Sequence, residues 1–259
     1  MLYLYHRWRS SRRGGTAMKL RGRLLPYSIL AIGLILGMWV EWPEIVGNSS
    51  VRAVGPETAA PLQASGKELT YNFDTDAAGQ LPPKFHIALT GGGPQPAWTV
   101  QADPSAPSKP NVLAQTSADK TDYRFPLAII DEGSFRDLVL NVKFKAVSGD
   151  VDRAAGLVFR FKDANNYYVV RANALEDNYN LYHVVNGRRR EIKGSRVKVK
   201  AGEWHELRVE VVGDRFTCFY DGEKKIETTD DTFKEAGKVG LWTKADSVAY
   251  FDDLHSTAK

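Results

Sequence analysis

Between Gly156 and Leu254, short apolar and aromatic runs alternate with turn-forming residues, and this pattern limits the fold more than any other feature. The runs Gly156–Phe161, Asn166–Asn173, Tyr179–Val185, Trp204–Val212, Arg215–Tyr220, Lys238–Lys244 and Ser247–Leu254 are rich in Val, Tyr, Phe and Trp. Lys162–Asn165, Gly213–Asp214 and Asp221–Gly222 separate neighbouring runs. Runs this short, punctuated by Gly, Asp and Asn, pair as antiparallel strands. Phe135–Val147 extends the pattern upstream. Leu138, Leu140, Val142 and Phe144 share one parity, and Asn141, Lys143 and Lys145 the other, as in a strand with one buried face. Leu69–Phe73, Trp98–Val100 and Asn111–Gln115 add short strands, whereas Asp103–Pro110 is too rich in Pro and Ser to be one. No helical periodicity follows residue 67. The expected fold is all-β, a sandwich of two antiparallel sheets over residues 68–259.

The formal charge of +4 belongs to the N-terminus. Arg7, Arg9, Arg12, Arg13, Lys19, Arg21 and Arg23 precede residue 24 with no acid among them. Without these seven charges the chain is net acidic, which argues against nucleic acid as a partner. Residues 1–23 thus read as a basic flank, followed by the uncharged run Leu24–Val40. That run lies between the length of a signal-peptide core and that of a membrane-spanning helix. Trp39 and Trp42 stand at its far end, where interfacial aromatics anchor a span. It is read as a hydrophobic helix that tethers the chain to the membrane, with a cleaved signal peptide as the alternative. Either reading places the C-terminal bulk outside the cytoplasm, in the periplasm or at the cell surface. Met18 begins a shorter version of the same segment, and residues 41–67 read as a linker.

Most catalytic signatures are missing. The single cysteine, Cys218, rules out an intramolecular disulfide and reads as a small core residue. Gly91–Gly93 lacks the Lys-Ser/Thr of a phosphate loop. His86, His183, His205 and His255 lack zinc-ligand spacing, and no G-x-S-x-G elbow occurs. Sandwich glycosidases need two facing carboxylates, often as E-x-D-x-E on one strand. Here Glu203 and Glu206 point opposite ways, as do Asp252 and Asp253. No metal site is expected. Calcium stays possible, with Asp74, Asp76 and Asp252 as the suggested oxygen donors, but Asp74-Thr-Asp76 is not a full calcium loop.

The candidate binding residues are polar and aromatic side chains within the strands: Arg160, Arg171, Tyr182, Trp242, Lys244 and Asp252. Alternation puts Phe159, Phe161, Val170 and Leu241 on the core side, so Arg160, Arg171 and Trp242 emerge on the other face. Asn178, Asn180 and Tyr182 share a parity opposite to Leu181. Aromatic faces stack on the C–H surfaces of sugars, and planar polar groups bind their hydroxyls. The competing reading is a solvated sheet face with Arg–Asp pairs, in which Asp252 partners the arginines. A second basic cluster comprises Arg188, Arg189, Arg190, Lys193, Arg196, Lys198 and Lys200. It reads as a charged edge that blocks strand pairing, or as a patch for an anionic polymer or lipid headgroups.

Gly156-Leu-Val-Phe-Arg-Phe-Lys-Asp-Ala-Asn-Asn-Tyr-Tyr168 and Gly240-Leu-Trp-Thr-Lys-Ala-Asp-Ser-Val-Ala-Tyr-Phe-Asp-Asp-Leu254 resemble the 3-keto-disaccharide hydrolase-type domain family of the concanavalin A-like lectin/glucanase superfamily. The Trp204-His205 strand start and the Asp221-Gly222 hairpin agree with it. The resemblance covers roughly residues 68 to 256. It implies a jelly-roll sandwich, usually exported, found among carbohydrate-active enzymes and presumed binding modules. It carries over no catalytic pair. The expectation is an exported, membrane-tethered module that binds carbohydrate without catalysis. The alternatives are a glycoside hydrolase acting on (3-keto-)disaccharides and a protein-interaction scaffold using the basic edge.

Overall fold

The computed structural model describes residues 68–259. The expected hydrophobic helix over 24–40, its basic flank and the linker lie outside the described residues. Among the described residues there is no helix, and hence none long and apolar enough to cross a membrane. The strands in chain order are β1 (Leu69–Tyr71), β2 (Phe85–Gly91), β3 (Trp98–Ala102), β4 (Asn111–Gln115), β5 (Arg124–Ile130), β6 (Leu138–Ser148), β7 (Ala154–Asp163) and β8 (Asn166–Asn173). They continue with β9 (Asn178–Val185), β10 (Arg188–Arg196), β11 (Trp204–Val212), β12 (Arg215–Tyr220), β13 (Glu223–Thr229), β14 (Lys238–Thr243) and β15 (Val248–Ala258). An eight-stranded sheet runs β13-β12-β11-β6-β15-β4-β3, with β1 also paired to β15. A seven-stranded sheet runs β10-β9-β8-β7-β14-β5-β2. The strand pairings within both sheets are antiparallel.

The main core lies between the sheets. β6 contributes Leu138, Leu140, Val142 and Phe144, as its alternation predicts. Leu157, Phe159, Tyr168, Val170 and Leu241 come from the seven-stranded sheet. Cys218 is buried in this core, and burial pushes its thiol pKa up, away from nucleophilic use.

The seven-stranded sheet is also apolar on its other face. Phe125, Leu127, Val158, Val169, Tyr167 and Trp242 belong to a second buried cluster there. The sheet curls over that cluster, because its hairpin tips are tied to its opposite edge. Tyr123 Oη donates to the Gly187 carbonyl and accepts from Arg189 N–H, both at 2.8 Å. Gly187 N–H reaches the Asn165 carbonyl at 2.9 Å, and Tyr167 Oη lies 2.8 Å from Thr90 Oγ1. Gly91 permits the fit beside Tyr123: it has φ +85°, and a Cβ there would meet the Tyr123 carbonyl oxygen at 2.0 Å.

Strand β7 departs from simple alternation. Arg160 has φ +46°, and the β7–β8 register breaks between Phe159 and Asp163. One residue in the left-handed region at a bulge exchanges the faces that follow it. Phe161 therefore joins the second cluster instead of the main core, against the expectation from sequence.

Candidate functional site

Register builds the site from one row across the curled sheet. Leu127, Trp242, Gly156, Arg171, Asn180 and Gly194 are successive partners on β5, β14, β7, β8, β9 and β10. Strand pleating turns all six to the same face. Gly156 lies between Trp242 and Arg171 in this row, where its neighbours leave no room for a side chain. A Cβ there would lie 2.9 Å from the Val170 carbonyl oxygen and 3.0 Å from Arg171 Cβ.

Arg171 is the centre of the polar half of this row. Its guanidinium donates to Asn178 Oδ1 at 2.6 Å, Glu176 Oε2 at 2.9 Å and Tyr182 Oη at 3.0 Å. Asn180 Nδ2 donates to Tyr182 Oη and to Glu191 Oε2, both at 2.9 Å. Glu176, Asn178, Asn180, Glu191 and Arg196 line a cleft of about 270 Å³ beside this network. Burial raises the Glu176 pKa, but the neighbouring Arg171 charge and hydrogen bonds from Asn178 and Arg171 outweigh it, so the carboxyl is held below its usual range.

Lys244 stands one position beyond Trp242 and Thr243. Its Nζ pairs with Asp122 at 2.7 Å and Asp152 at 2.9 Å. Burial lowers the lysine pKa, and the two aspartates more than offset that, leaving it raised. Asp152 also accepts from Asn173 Nδ2 at 2.6 Å. The turn carrying Asp152 is fixed by Asp246, whose carboxylate accepts the N–H groups of Asp150, Val151 and Asp152.

The apolar half of the face is roofed by Arg189, reaching in from β10. Its Cζ lies 4.6 Å from the Tyr182 ring centre, 4.7 Å from Phe125 and 5.5 Å from Trp242. Phe125 and Trp242 meet at 5.3 Å. Three donors on this face, Arg171 Nε, Arg189 Nη1 and Trp242 Nε1, are buried without a hydrogen-bond partner among the described residues.

Four of the six expected site residues thus share one face: Arg171, Tyr182, Trp242 and Lys244. Trp242 is not an outward platform, however, because it is fully buried in the second cluster. Arg160 does not join them. Its bulge sends the guanidinium to the carbonyls of Arg136, Phe233 and Gly213, at 2.9, 2.7 and 2.5 Å. Asp252 belongs to the other sheet and is not the carboxylate between the arginines. Glu176 partners Arg171.

Asp252 instead anchors the β3–β4 loop. It accepts from Ser108 N, Ser108 Oγ and Asp253 N, each at 2.8 Å. Asp74 accepts from Asn111 N at 3.2 Å. No group of three or more His, Cys, Asp or Glu side chains placed to hold a metal occurs among the described residues. Burial pushes the Asp252 carboxyl up to about 6, against the pull of its hydrogen bonds. The folded chain therefore holds this proton more tightly than the unfolded chain. Its contribution to stability is full below about pH 4 and is lost as pH rises through about 6. Urea midpoints of the chain and of Asp252→Ala should converge as pH rises through that window. A constant gap would place the Asp252 pKa in the ordinary carboxylate range.

Sequence reading missed Asp122, Asp152, Glu176 and Glu191 as partners, and missed the role of Arg189. One signal was present: Glu176 sits in the turn joining the strands of Arg171 and Asn180. The others depend on register and curl.

The fold and the site together define an all-β sandwich of two antiparallel sheets, one of them curled around a polar cleft. Residues 86–255 match the family described as the 3-keto-alpha-glucoside-1,2-lyase-like domain, and the chain belongs to that family. Both stretches that carry the sequence resemblance lie inside the matched residues. A levanase of Bacillus subtilis is 28% identical over 129 residues, which is 49% of this chain and 18% of that protein. The chain thus spans under a fifth of that relative's length. Among solved structures, the carbohydrate binding module CBM66 from Bacillus subtilis aligns with a TM-score of 0.51 at 23% identity, over 66% of this chain and 94% of that one. That likeness is one of fold.

Proposed function

We propose that the chain is an exported, membrane-tethered jelly-roll module that binds carbohydrate through the curled face of the seven-stranded sheet, without catalysis. The observation that carries this reading is the Arg171 network, a set of planar polar groups beside a cleft. Planar amides, carboxylates and a guanidinium held in fixed orientation match the donors and acceptors of sugar hydroxyls. The family match and the two Bacillus subtilis proteins support a glycan as ligand. Export rests on the N-terminal sequence.

The family description also favours a second reading, elimination on a 3-keto-glucoside. That reaction needs a base able to take a proton next to the ketone. Lys244 is held charged by Asp122 and Asp152, and Glu176 is held ionised by Arg171. Both arrangements suit binding better than proton abstraction.

The test uses the full chain against a glycan array and a panel of 3-keto-disaccharides. Arg171→Ala should weaken binding by about 1.5–3 kcal/mol, the worth of hydrogen bonds to a charged group. Unchanged affinity in that variant would reject this face as the site. Turnover that disappears with Glu176→Gln would replace the binding reading with the catalytic one.

A further inference from the structure

The outer edge of the seven-stranded sheet carries more charge than the cleft uses. Between residues 188 and 200, seven cations stand against one acid, Glu191, in a chain that is net acidic beyond residue 23. Three of the seven are accounted for. Arg189 roofs the aromatic face, Lys198 pairs with Asp177 at 2.7 Å, and Lys200 with Glu203 at 3.3 Å. Arg188, Arg190, Lys193 and Arg196 are exposed on β10 and form no hydrogen bond or ion pair among the described residues.

Alternate positions on a strand face opposite ways. Arg189 and Glu191 serve the curled face, and Arg188 and Arg190 turn to the other side. There they line a groove of about 560 Å³ with His183, Val185 and Asn186. His183 is the register partner of Arg190.

The neighbouring carboxylates are already engaged. Asp230 lies 3.6 Å from His183 Nδ1 and accepts from Tyr168 Oη and Thr232 N. On β13, which packs beside β10, Glu223 is held by Lys225, and Glu227 by Arg215 and Lys224. A few charges and the bulge between Glu191 and Lys193 already protect an edge strand from pairing. Four unpaired cations on one strand, with Arg188 and Arg190 lining the groove and Arg196 the rim of the cleft, exceed that need.

We propose that this groove and the outer side of β10 bind an anionic polysaccharide, through carboxylate or sulfate groups on the sugar chain. The choice of a polysaccharide over other polyanions rests on the carbohydrate reading above, since one strand, β10, borders both the cleft and the groove. A membrane surface fits less well, because none of the exposed large hydrophobic residues, Ile87, Tyr123, Val151, Leu175 and Val212, lies on β10.

The test measures binding of the full chain to polygalacturonate, to its neutral methyl ester, and to phosphatidylcholine vesicles containing phosphatidylglycerol. Polygalacturonate should bind and the ester should not engage the groove. Affinity should fall on the order of tenfold between about 50 and about 200 mM salt, as expected when a few cations neutralise a polyanion. Arg188→Glu with Arg190→Glu should abolish this binding while leaving the melting temperature in place. Arg171→Ala should leave it intact, which separates the groove from the cleft. Equal binding by the charge-reversed chain would overturn the proposal, as would salt-insensitive binding. Groove-dependent capture of vesicles without capture of the polymer would also overturn it. Loss of all neutral-glycan binding with retained polygalacturonate binding would instead reject the reading of the cleft.

Discussion

Trp242→Ala is expected to destabilise the chain by about 3–5 kcal/mol, the range for removing a large aromatic from a core. The indole is fully buried between Phe125 and the roof formed by Arg189. Truncation leaves a void under a guanidinium that keeps its own place through backbone and ring contacts. The surroundings cannot collapse into that void without breaking the Tyr123 bonds to the β9–β10 turn. For a domain of this size, the loss corresponds to a melting temperature lower by roughly 6–20 °C. Thermal melts of the full chain check it. A shift of only a degree or two would mean that Trp242 stands outward after all.

Arg160→Met should cost a comparable amount, about 3 kcal/mol or more, because it strands several buried acceptors at once. Arg160 joins the segment before β6, the β11–β12 turn and the β13–β14 connection through three carbonyls, and it also lies 3.5 Å from Asp137. Its guanidinium covers Phe216 at 5.7 Å. Methionine restores the packing volume but supplies no donor. The urea midpoint should fall while glycan affinity at the Arg171 face stays constant. A variant that loses affinity at unchanged stability would return Arg160 to the binding face.

The difference between these two residues shows where sequence reading succeeds and where it stops. β6 was legible because each alternate residue meets either solvent or core, so its pattern records its surroundings. β5 was not, because both its faces are buried and its run Arg124–Ile130 includes Pro126. A strand covered on both sides loses the alternation that reveals it. β10 was visible as charge but not as a strand. For the site, parity brought Arg171, Tyr182, Trp242 and Lys244 to one face. It failed at Arg160, where a single positive φ in β7 exchanges the faces, and nothing in Arg-Phe-Lys announces that bulge. It also assumed that a face turned away from the main core meets water. The curl that buries Trp242 depends on contacts between Tyr123 and Gly187, far apart in the chain, and no local pattern carries them.

The Arg189 roof has a consequence for how such a domain can diversify. Two classes of position lie on the curled face. Trp242, Phe125 and Val169 are bound into a second core, so changes there are filtered first by folding and only then by recognition. Asn178, Asn180, Glu191 and Arg196 line the cleft at the β9–β10 end, and most of these positions are at least partly solvated. Substitutions in that rim can be sampled at little cost to stability. Under the proposed carbohydrate reading, descendants of this chain are therefore free to exchange one preferred sugar for another by altering the rim, while the floor stays nearly constant.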